Sequence, residues 1–482
     1  MAVSVQPFPA SSTSMGAYMP PTKNIKMQAC PSPGPIHLSQ RFAALKESMV
    51  SRREDSLVSS WRQLLEAIRE EVDLVSSLGS QIVPSIDFAD IRKLEYAESF
   101  QEELRTRGVA VIRNVVPRDT ALDWEDETRV YLDQNPSKAT SPARGSKLHE
   151  VYWSPAQVQA RVHPNILAAQ RFAMGAWKSK DPNARISTNF PITYADRMRI
   201  RTKGDMELSA PSAHIDGGSV ERWEPDGYGR AGTYRDIFQG NWQDYNPWEA
   251  STRIPVASDL YRGVGSCSIF RAFQGWLAMS SIASPLQVCP MPQLATVYFL
   301  LRPFFSRRDV DTPWNLTRPQ NSILHGALPS YTQEISRALH PHLQLDRSLV
   351  SIPRLEPGDY VIWHPDLIHV ADGPHLGSHA SSTTTAMYLP ACPLTQTNAL
   401  YLCRQRKAFL LGCPGPDFGG GRGESDYVGR PGVREVNEAG GEDGLRAMGL
   451  LPWDEEDADS DAERQVMAMA NAILFPDLYD ML

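Results

Sequence analysis

Hydrophobic periodicity sets in near residue 38 and first takes the helical step. Phe42, Leu45 and Met49, then Leu57, Trp61, Leu64, Leu65, Ile68 and Val72, recur three and four residues apart, the spacing of one helical face. They predict two helices within 38–78, the second capped by Ser56, and their apolar stripes are packing faces. Residues 86–91 lead into a third helix over 95–107, closed by Gly108 as a glycine after the last turn closes a helix. V-A-V-I-R-N-V-V at 109–116 is rich in β-branched residues and reads as a strand. Helices follow over 117–135 and 157–177, the latter broken near Pro164, with a polar loop at 136–150 between them.

The period then falls to two. In Y-A-D-R-M-R-I-R at 194–201, Arg197, Arg199 and Arg201 alternate with Met198 and Ile200, the pattern of a half-buried strand. Such arginines either face solvent or stand inside the fold as anion anchors. A turn at 203–207 precedes L-S-A-P-S-A-H-I-D-G-G-S-V-E-R-W at 208–223. Strands are predicted at 266–279 and 286–289, while 294–305 fits either strand or helix. Residues 306–348 read as an insertion with a helix over 331–340. Pro357-Gly358-Asp359 is a turn. The aromatic and β-branched Y-V-I-W at 360–363 reads as a strand, with a last strand at 383–389 and a helix over 397–411. The Gly-rich segment 414–446 carries G-G-G-R-G-E with no strand before it and no closing G-K-S/T, so it reads as a mobile loop or lid, not a phosphate site. An acidic solvated face at 454–463 and a short apolar-faced helix over 465–475, stopped by Pro476, complete the pattern.

Composition narrows the class. The 482 residues are 41% hydrophobic and 22% charged, ordinary for a globular chain with a large core. A net charge of −8 gives no general attraction to nucleic acid or anionic membrane, and a nucleic-acid-modifying role is disfavoured. No apolar run reaches the ~18 residues of a membrane span. The six cysteines are scattered without C-x-x-C, as expected of free thiols in an intracellular, cytoplasmic protein without a structural zinc site. Residues 1–36, rich in Pro, Ser, Met and Ala, are expected to be disordered and lack the pattern of a secretory signal. The aromatic stretch 224–262, with Trp242, Tyr245 and Trp248, reads as long loops that either wall a site or pack.

The candidate chemistry lies in two places. His214 and Asp216 are one residue apart, so on a strand their side chains share a face. An imidazole and a carboxylate so placed supply two ligands of a 2-His-1-carboxylate triad, the set that leaves positions open on non-haem iron(II). Gly217 and Gly218 follow, where backbone must turn or approach a ligand closely. Downstream, His364 and His369 both stand in W-H-P-D-L-I-H, the latter where a short strand would begin ten residues after Asp359. Asp366, between them, is either a turn former or an acceptor for a ligand imidazole.

His214-x-Asp216, the P-G-D turn and His369 resemble the iron(II)/2-oxoglutarate-dependent oxygenases. Several stretches are similar to a microbial and fungal branch of that superfamily, the YbiU-like proteins: Y-A-D-R-M-R-I-R, H-I-D-G-G-S-V-E-R-W, F-R-A-F-Q-G-W, L-L-R-P-F-F, A-L-H-P-H-L and W-H-P-D-L-I-H. The resemblance covers roughly 85–430. It implies an α+β fold with a double-stranded β-helix (jelly-roll, cupin-like) core, flanking helices and long insertions. It implies His214, Asp216 and His369 as ligands of Fe(II), His369 fitting the family's spacing better than His364. It implies 2-oxoglutarate and O2 as co-substrates, converted to succinate and CO2. One departure stands out. Many relatives place an arginine ten to fifteen residues after the distal histidine, against the far carboxylate of 2-oxoglutarate, yet 370–403 holds no Arg or Lys. Arg271 in F-R-A-F-Q-G-W is the first substitute, then Arg199 or Arg201, with Thr385 adding a hydroxyl donor.

The organisation expected is therefore a disordered segment at 1–36, N-terminal helices at 37–84, an oxygenase domain at 85–430 and an acidic tail with a short helix at 431–482. The expected function is oxidation of a small organic molecule, with no nucleic-acid or membrane partner. The alternative is a cupin-type isomerase or a dioxygenase that uses the same triad without 2-oxoglutarate, which the missing arginine keeps open.

Overall fold

Alternation decides which way each strand faces. In the strand Val109–Arg113, Val109 and Val111 enter one apolar cluster while Ala110 and Ile112 enter another on the opposite face. Tyr360–Trp363 does the same: Val361 and Trp363 turn one way, Tyr360 and Ile362 the other. The computed structural model describes residues 34–136, 148–201, 212–263, 266–283, 286–307, 309, 312–371 and 383–479.

Among the described residues the larger sheet has seven strands, in the order Ser85–Asp87, Val109–Arg113, Tyr360–Trp363, Gln274–Ala278, Thr384–Tyr388, Met198–Arg201 and Leu148–His149. The smaller has five, in the order Gln333–Ile335, Ala213–Ile215, His369–Ala371, Leu286–Val288 and Val350–Ser351. From Met198 onward the chain crosses repeatedly between them. Met198–Arg201, Gln274–Ala278, Tyr360–Trp363 and Thr384–Tyr388 lie in the larger sheet, and Ala213–Ile215, Leu286–Val288 and His369–Ala371, threaded between them, lie in the smaller. The inner faces meet in one cluster: Val111, Trp276, Val361 and Ala386 from the larger sheet against Leu286, Val288 and Val350 from the smaller. The fold is thus mixed α+β with a β-sandwich core.

Helices cover both outer faces. Leu94–Arg107, Arg118–Gln134, Pro155–Val162 and Pro164–Met174 bring Leu104, Trp124, Ala160 and Ile166 onto Ile112, Ile362 and Leu277. Glu54–Leu78 and Pro292–Leu301 cover the smaller sheet through Trp61, Leu64, Ile68 and Tyr298 against Ala213, Ile215, Ile335 and Val370. Trp61 is 1% exposed and stacks on Phe305 at 4.5 Å and 8°. Truncating such a side chain costs about 3–5 kcal/mol.

The P-G-D turn that returns the chain to the core needs its glycine. Gly358 has φ 92°, and a Cβ there would stand 2.0 Å from the Val116 carbonyl oxygen. Asp359, buried next to it, accepts from Arg113 at 2.6 Å and from the Asn114 and Glu356 amides at 3.0 and 2.9 Å.

Several expectations are corrected. The helix expected over 331–340 is instead the strand Gln333–Ile335, because its backbone finds a partner in Ala213–Ile215. The ambiguous 294–305 is the helix Pro292–Leu301. The strand expected over 266–279 forms only at Gln274–Ala278, and that over 109–116 stops at Arg113, where Asn114 takes φ 56°. Ser56 sits inside the first turn of its helix, and Arg53 occupies the cap position. The presumed lid at 414–446 contains the helix Val433–Ala447, packed on Pro155–Val162. Trp453, Val466, Met467 and Leu474 share a core cluster with Ile192, Tyr194 and Leu394, so part of the segment after 431 packs against the two-stranded pair Ile186–Ile192 and Cys392–Thr395. The turn at 203–207, residues 1–33 and most of the 136–150 loop lie outside the described residues.

Candidate metal centre

The strand Ala213–Ile215 puts Ala213 and Ile215 into the outer apolar cluster, which leaves His214 on the inner face. Asp216, two residues on from His214, joins it. His369 stands directly opposite His214 in the antiparallel register, while its neighbours Ile368 and Val370 face outward. The ladder alone therefore brings the three side chains together. His214 Nε2 lies 3.7 Å from Asp216 Oδ1, and His369 Nε2 lies 3.6 Å from Asp216 Oδ2. The two imidazole centroids are 4.4 Å apart. One ligand atom from each of the three residues lies within 4.8 Å of the others, a span a single divalent ion can bridge.

The tautomers suit the role. His214 Nδ1 donates to the Ser212 carbonyl at 3.0 Å and His369 Nδ1 to that of Leu367 at 3.0 Å. Each Nε2 is thereby left as a lone pair aimed into the cluster. Burial, helped by His214, pushes the His369 imidazole down to about 4, so it is neutral near pH 7. Burial opposes the charge on Asp216, but His214, His369, Arg271 and Arg197 outweigh it and hold the carboxyl below its usual range. Two neutral imidazoles and one ionised carboxylate are what a divalent cation requires. Gly217 and Gly218, at φ 75° and 103°, turn the chain sharply after Asp216, and a Cβ on Gly218 would crowd the Ser258 carbonyl at 3.1 Å.

His364, the alternative third ligand, is elsewhere. It is fully buried, stacked on Trp177 at 5.1 Å and edge-on to Trp248 at 4.8 Å, with Nε2 on the Pro247 carbonyl at 3.1 Å. Trp248 and Trp242 likewise pack in cores, and Tyr234 reaches inward to Asp366. Most of the aromatic stretch is therefore packing. Tyr228, whose hydroxyl donates to the Gly217 carbonyl at 2.5 Å, is the member that lines a cleft beside the cluster.

Of the candidate anion anchors, Arg271 is one whose charge helps hold the Asp216 carboxyl below its usual range. It precedes the strand Gln274–Ala278 and lines the same cleft with Gly217, Ser258, Cys267 and Thr397. Its guanidinium packs 5.9 Å from the Tyr194 ring and makes no hydrogen bond or ion pair with a described residue. Arg199 and Arg201 are buried on the inner face, since Met198 and Ile200 pack outward, and Arg199 lies over the Trp276 ring at 5.4 Å. Thr385 is not brought to the cluster. It faces outward beside Ile200, and its hydroxyl donates to Glu125 at 2.9 Å. The strand's pleat forces this, because Ala386 is the inward residue.

Sequence reasoning missed a buried ionic frame behind the cluster. Arg222, on the short turn Val220–Arg222, donates to the Asp216 carbonyl at 2.8 Å and to the Gly218 carbonyl. Asp366 accepts from Arg253 at 2.6 Å and from the Tyr234 hydroxyl at 3.1 Å, and its Oδ1 lies 4.0 Å from Arg222. The available signal was an arginine and an aspartate lodged inside the apolar motifs V-E-R-W and P-D-L-I, where charges persist only when paired.

With this geometry in hand, the chain's kinship is informative. A family description, Gig2-like, matches residues 36–450. The chain belongs to the Gig2-like family. It is 31% identical over 395 residues to YbiU of Escherichia coli K12, covering 79% of this chain and 88% of YbiU. Its structure matches that of GlcNAc Inducible Gene 2, GIG2, from Candida albicans with a TM-score of 0.82 at 28% identity, over 92% of this chain and 97% of that one. A Salmonella typhimurium LT2 protein provisionally designated an oxidoreductase matches with a TM-score of 0.73 at 29% identity, over 85% and 96% of the two chains. The matched residues 36–450 contain both sheets and the His-Asp-His cluster of this chain. No described helix is long and apolar enough to cross a membrane.

Proposed function

We propose that this Gig2-like chain is a non-haem iron(II)/2-oxoglutarate-dependent oxygenase acting on a small organic molecule. The observation that carries the reading is the cluster itself: His214 and His369 in register, Asp216 beside them, both Nε2 atoms free. The strand path supports it as well. From Met198 onward four strands of the larger sheet and five of the smaller pass back and forth between two packed sheets, in the manner of a double-stranded β-helix, with His214 and His369 on adjacent strands of the smaller. Three ligands on one side leave positions open, as oxygenase chemistry needs and a closed structural site does not.

In this reading His214, Asp216 and His369 hold Fe(II), which with 2-oxoglutarate and O2 supplies the oxidant for an unactivated C–H bond while succinate and CO2 are released. The protein's part is placement. Arg271 would hold the distal carboxylate of 2-oxoglutarate, in place of the arginine missing after His369. Trp363, 5.4 Å from the His369 ring, and the apolar cluster between the sheets shield His369 from water. Arg222 fixes the Asp216 backbone.

The test is succinate release from labelled 2-oxoglutarate by the purified chain with Fe(II) in air. Slow substrate-free turnover in the wild type and none in His369→Ala supports the reading. Wild-type and variant proteins that both release none favour the cupin-type isomerase or 2-oxoglutarate-independent dioxygenase.

A further inference from the structure

Given the oxygenase reading, we propose that the substrate is itself an acid, because hydrogen-bond donors for two separate anionic groups flank the one metal cluster. The first set stands on the Asp216 side. There Arg271 lines the cleft with Gly217 and Ser258, and its guanidinium has no hydrogen-bonded or ion-paired partner among the described residues. A guanidinium in that state is built for a carboxylate or a similar planar anion.

The second set stands on the His369 side, inside the sandwich. Gln274, Trp276 and Trp363 occupy the inner face of the larger sheet: Gln274 is in register with Trp363, and Trp276 follows it by two. Their side chains are 5%, 2% and 1% exposed. Gln274 Nε2, Trp276 Nε1 and Trp363 Nε1 all lack a hydrogen-bond partner among the described residues. Trp363 packs against His369 at 5.4 Å, Trp276 is edge-on to Trp363 at 5.7 Å, and the Arg199 charge lies over Trp276 at 5.4 Å. Three adjoining buried groups left unsatisfied are rare in a native interior. All three are donors, so the group that satisfies them is an acceptor, and the neighbouring arginine favours a negative one.

One 2-oxoglutarate does not occupy both sets. Its keto-acid end is taken by the metal, and it has a single remaining carboxylate. Whichever set binds that carboxylate, the other is left for the acid group of the molecule being oxidised. A neutral substrate would leave a donor set unmatched.

The experiment compares full-length wild type, Arg271→Gln and Gln274→Leu, each loaded with Fe(II) under anaerobic conditions and titrated with 2-oxoglutarate. Trp276→Phe, which removes the N–H and keeps the ring, replaces Gln274→Leu if the latter does not fold. The expected result is that one variant loses roughly tenfold or more in 2-oxoglutarate affinity, the other stays near wild type, and both keep their iron. Short carboxylic acids should then raise the melting temperature of the iron- and 2-oxoglutarate-loaded wild type where the matching primary amides do not. The variant with normal 2-oxoglutarate binding should lose that response. Loss of 2-oxoglutarate affinity in both variants, or in neither, overturns the proposal. So does an equal response to acids and amides, or no response to any acid. A wild type that binds iron but no 2-oxoglutarate sinks the oxygenase reading instead, and is recognised before either variant is compared.

Discussion

Arg222 ties Asp216 to the loop that carries His369. Its Nη2 donates to the Asp216 carbonyl at 2.8 Å and stands 4.0 Å from Asp366 Oδ1, three residues before His369. Two segments far apart in sequence thus share one buried counter-charge. Removing that charge should disturb both. Asp366→Asn leaves Arg222 and Arg253 buried beside a neutral amide, and breaking a buried pair costs about 3–5 kcal/mol. Metal affinity should fall by roughly 10–100-fold, as it does when the partners behind metal ligands are removed. Urea unfolding and a Co(II) titration of the folded variant measure the two effects. Normal affinity in a destabilised variant would show that the frame is only structural.

The same carboxylate gives a pH dependence with a definite sign. Burial would raise its pKa, but Arg253, His364 and Arg222 outweigh burial and hold it at about 2. A carboxyl depressed in the folded state stabilises above its unfolded value near 3.8 and loses that stabilisation as pH falls through about 2. Stability should therefore drop between about pH 4 and 2 by an amount on the order of 2 kcal/mol from this group. Subtracting the acid titration of Asp366→Asn from that of the wild type isolates the term. Parallel curves would contradict it.

The two histidines of W-H-P-D-L-I-H should separate cleanly. His369→Ala is expected to abolish iron binding with little change in unfolding midpoint, as are His214→Ala and Asp216→Ala, because the surrounding core is apolar and does not depend on them. His364→Ala should keep iron if folded and lose about 2–4 kcal/mol, since it empties the space between Trp177 and Trp248. Metal analysis beside thermal melts distinguishes them, and the reverse pattern would reassign the third ligand.

Gly358→Ala probes the turn that feeds the strand Tyr360–Trp363. The residue's φ of 92° is costly for alanine, and the new Cβ would fall 2.0 Å from the Val116 oxygen. A loss of more than about 1–3 kcal/mol is expected, read from chemical denaturation. A near-neutral substitution would mean the turn relaxes freely.

Much of this was legible in the chain. The i, i+2 spacing of His214 and Asp216 stated their shared face outright, because strand alternation is a local rule. The N-terminal helices were equally readable, since their stripes at three- and four-residue steps become the buried faces of Glu54–Leu78. What failed was decided by distant partners. Nothing within 331–340 says that Gln333–Ile335 will pair with the H-x-D strand. Thr385 looked available on the last strand, but the pleat put Ala386 inward instead. The Gly-rich 414–446 suggested mobility, yet its helix is held by packing against Pro155–Val162. Arg222 was overlooked because a lone buried charge has no periodicity to betray it, and Asp366, read as a turn former or an imidazole acceptor, pairs instead with Arg253 and Tyr234.

The anchor assignment makes a quantitative claim. Arg271→Gln should weaken 2-oxoglutarate binding by roughly a hundredfold, for a loss of about 3 kcal/mol at 1.4 kcal/mol per tenfold. Iron content should stay near wild type, since Arg271 holds no ligand. Unchanged 2-oxoglutarate binding would pass the role to Arg199 or Arg201 and leave Arg271 for the substrate.

The central claim is that His214, Asp216 and His369 hold iron in a form that 2-oxoglutarate chelates. Its most direct test is an anaerobic titration of the Fe(II)-loaded protein with 2-oxoglutarate, followed by visible absorption. The account predicts the metal-to-ligand charge-transfer band of a chelated 2-oxo acid, saturating at one equivalent per chain in the wild type and absent in His369→Ala. Iron bound at full occupancy with no such band, or a band that survives His369→Ala, would contradict it.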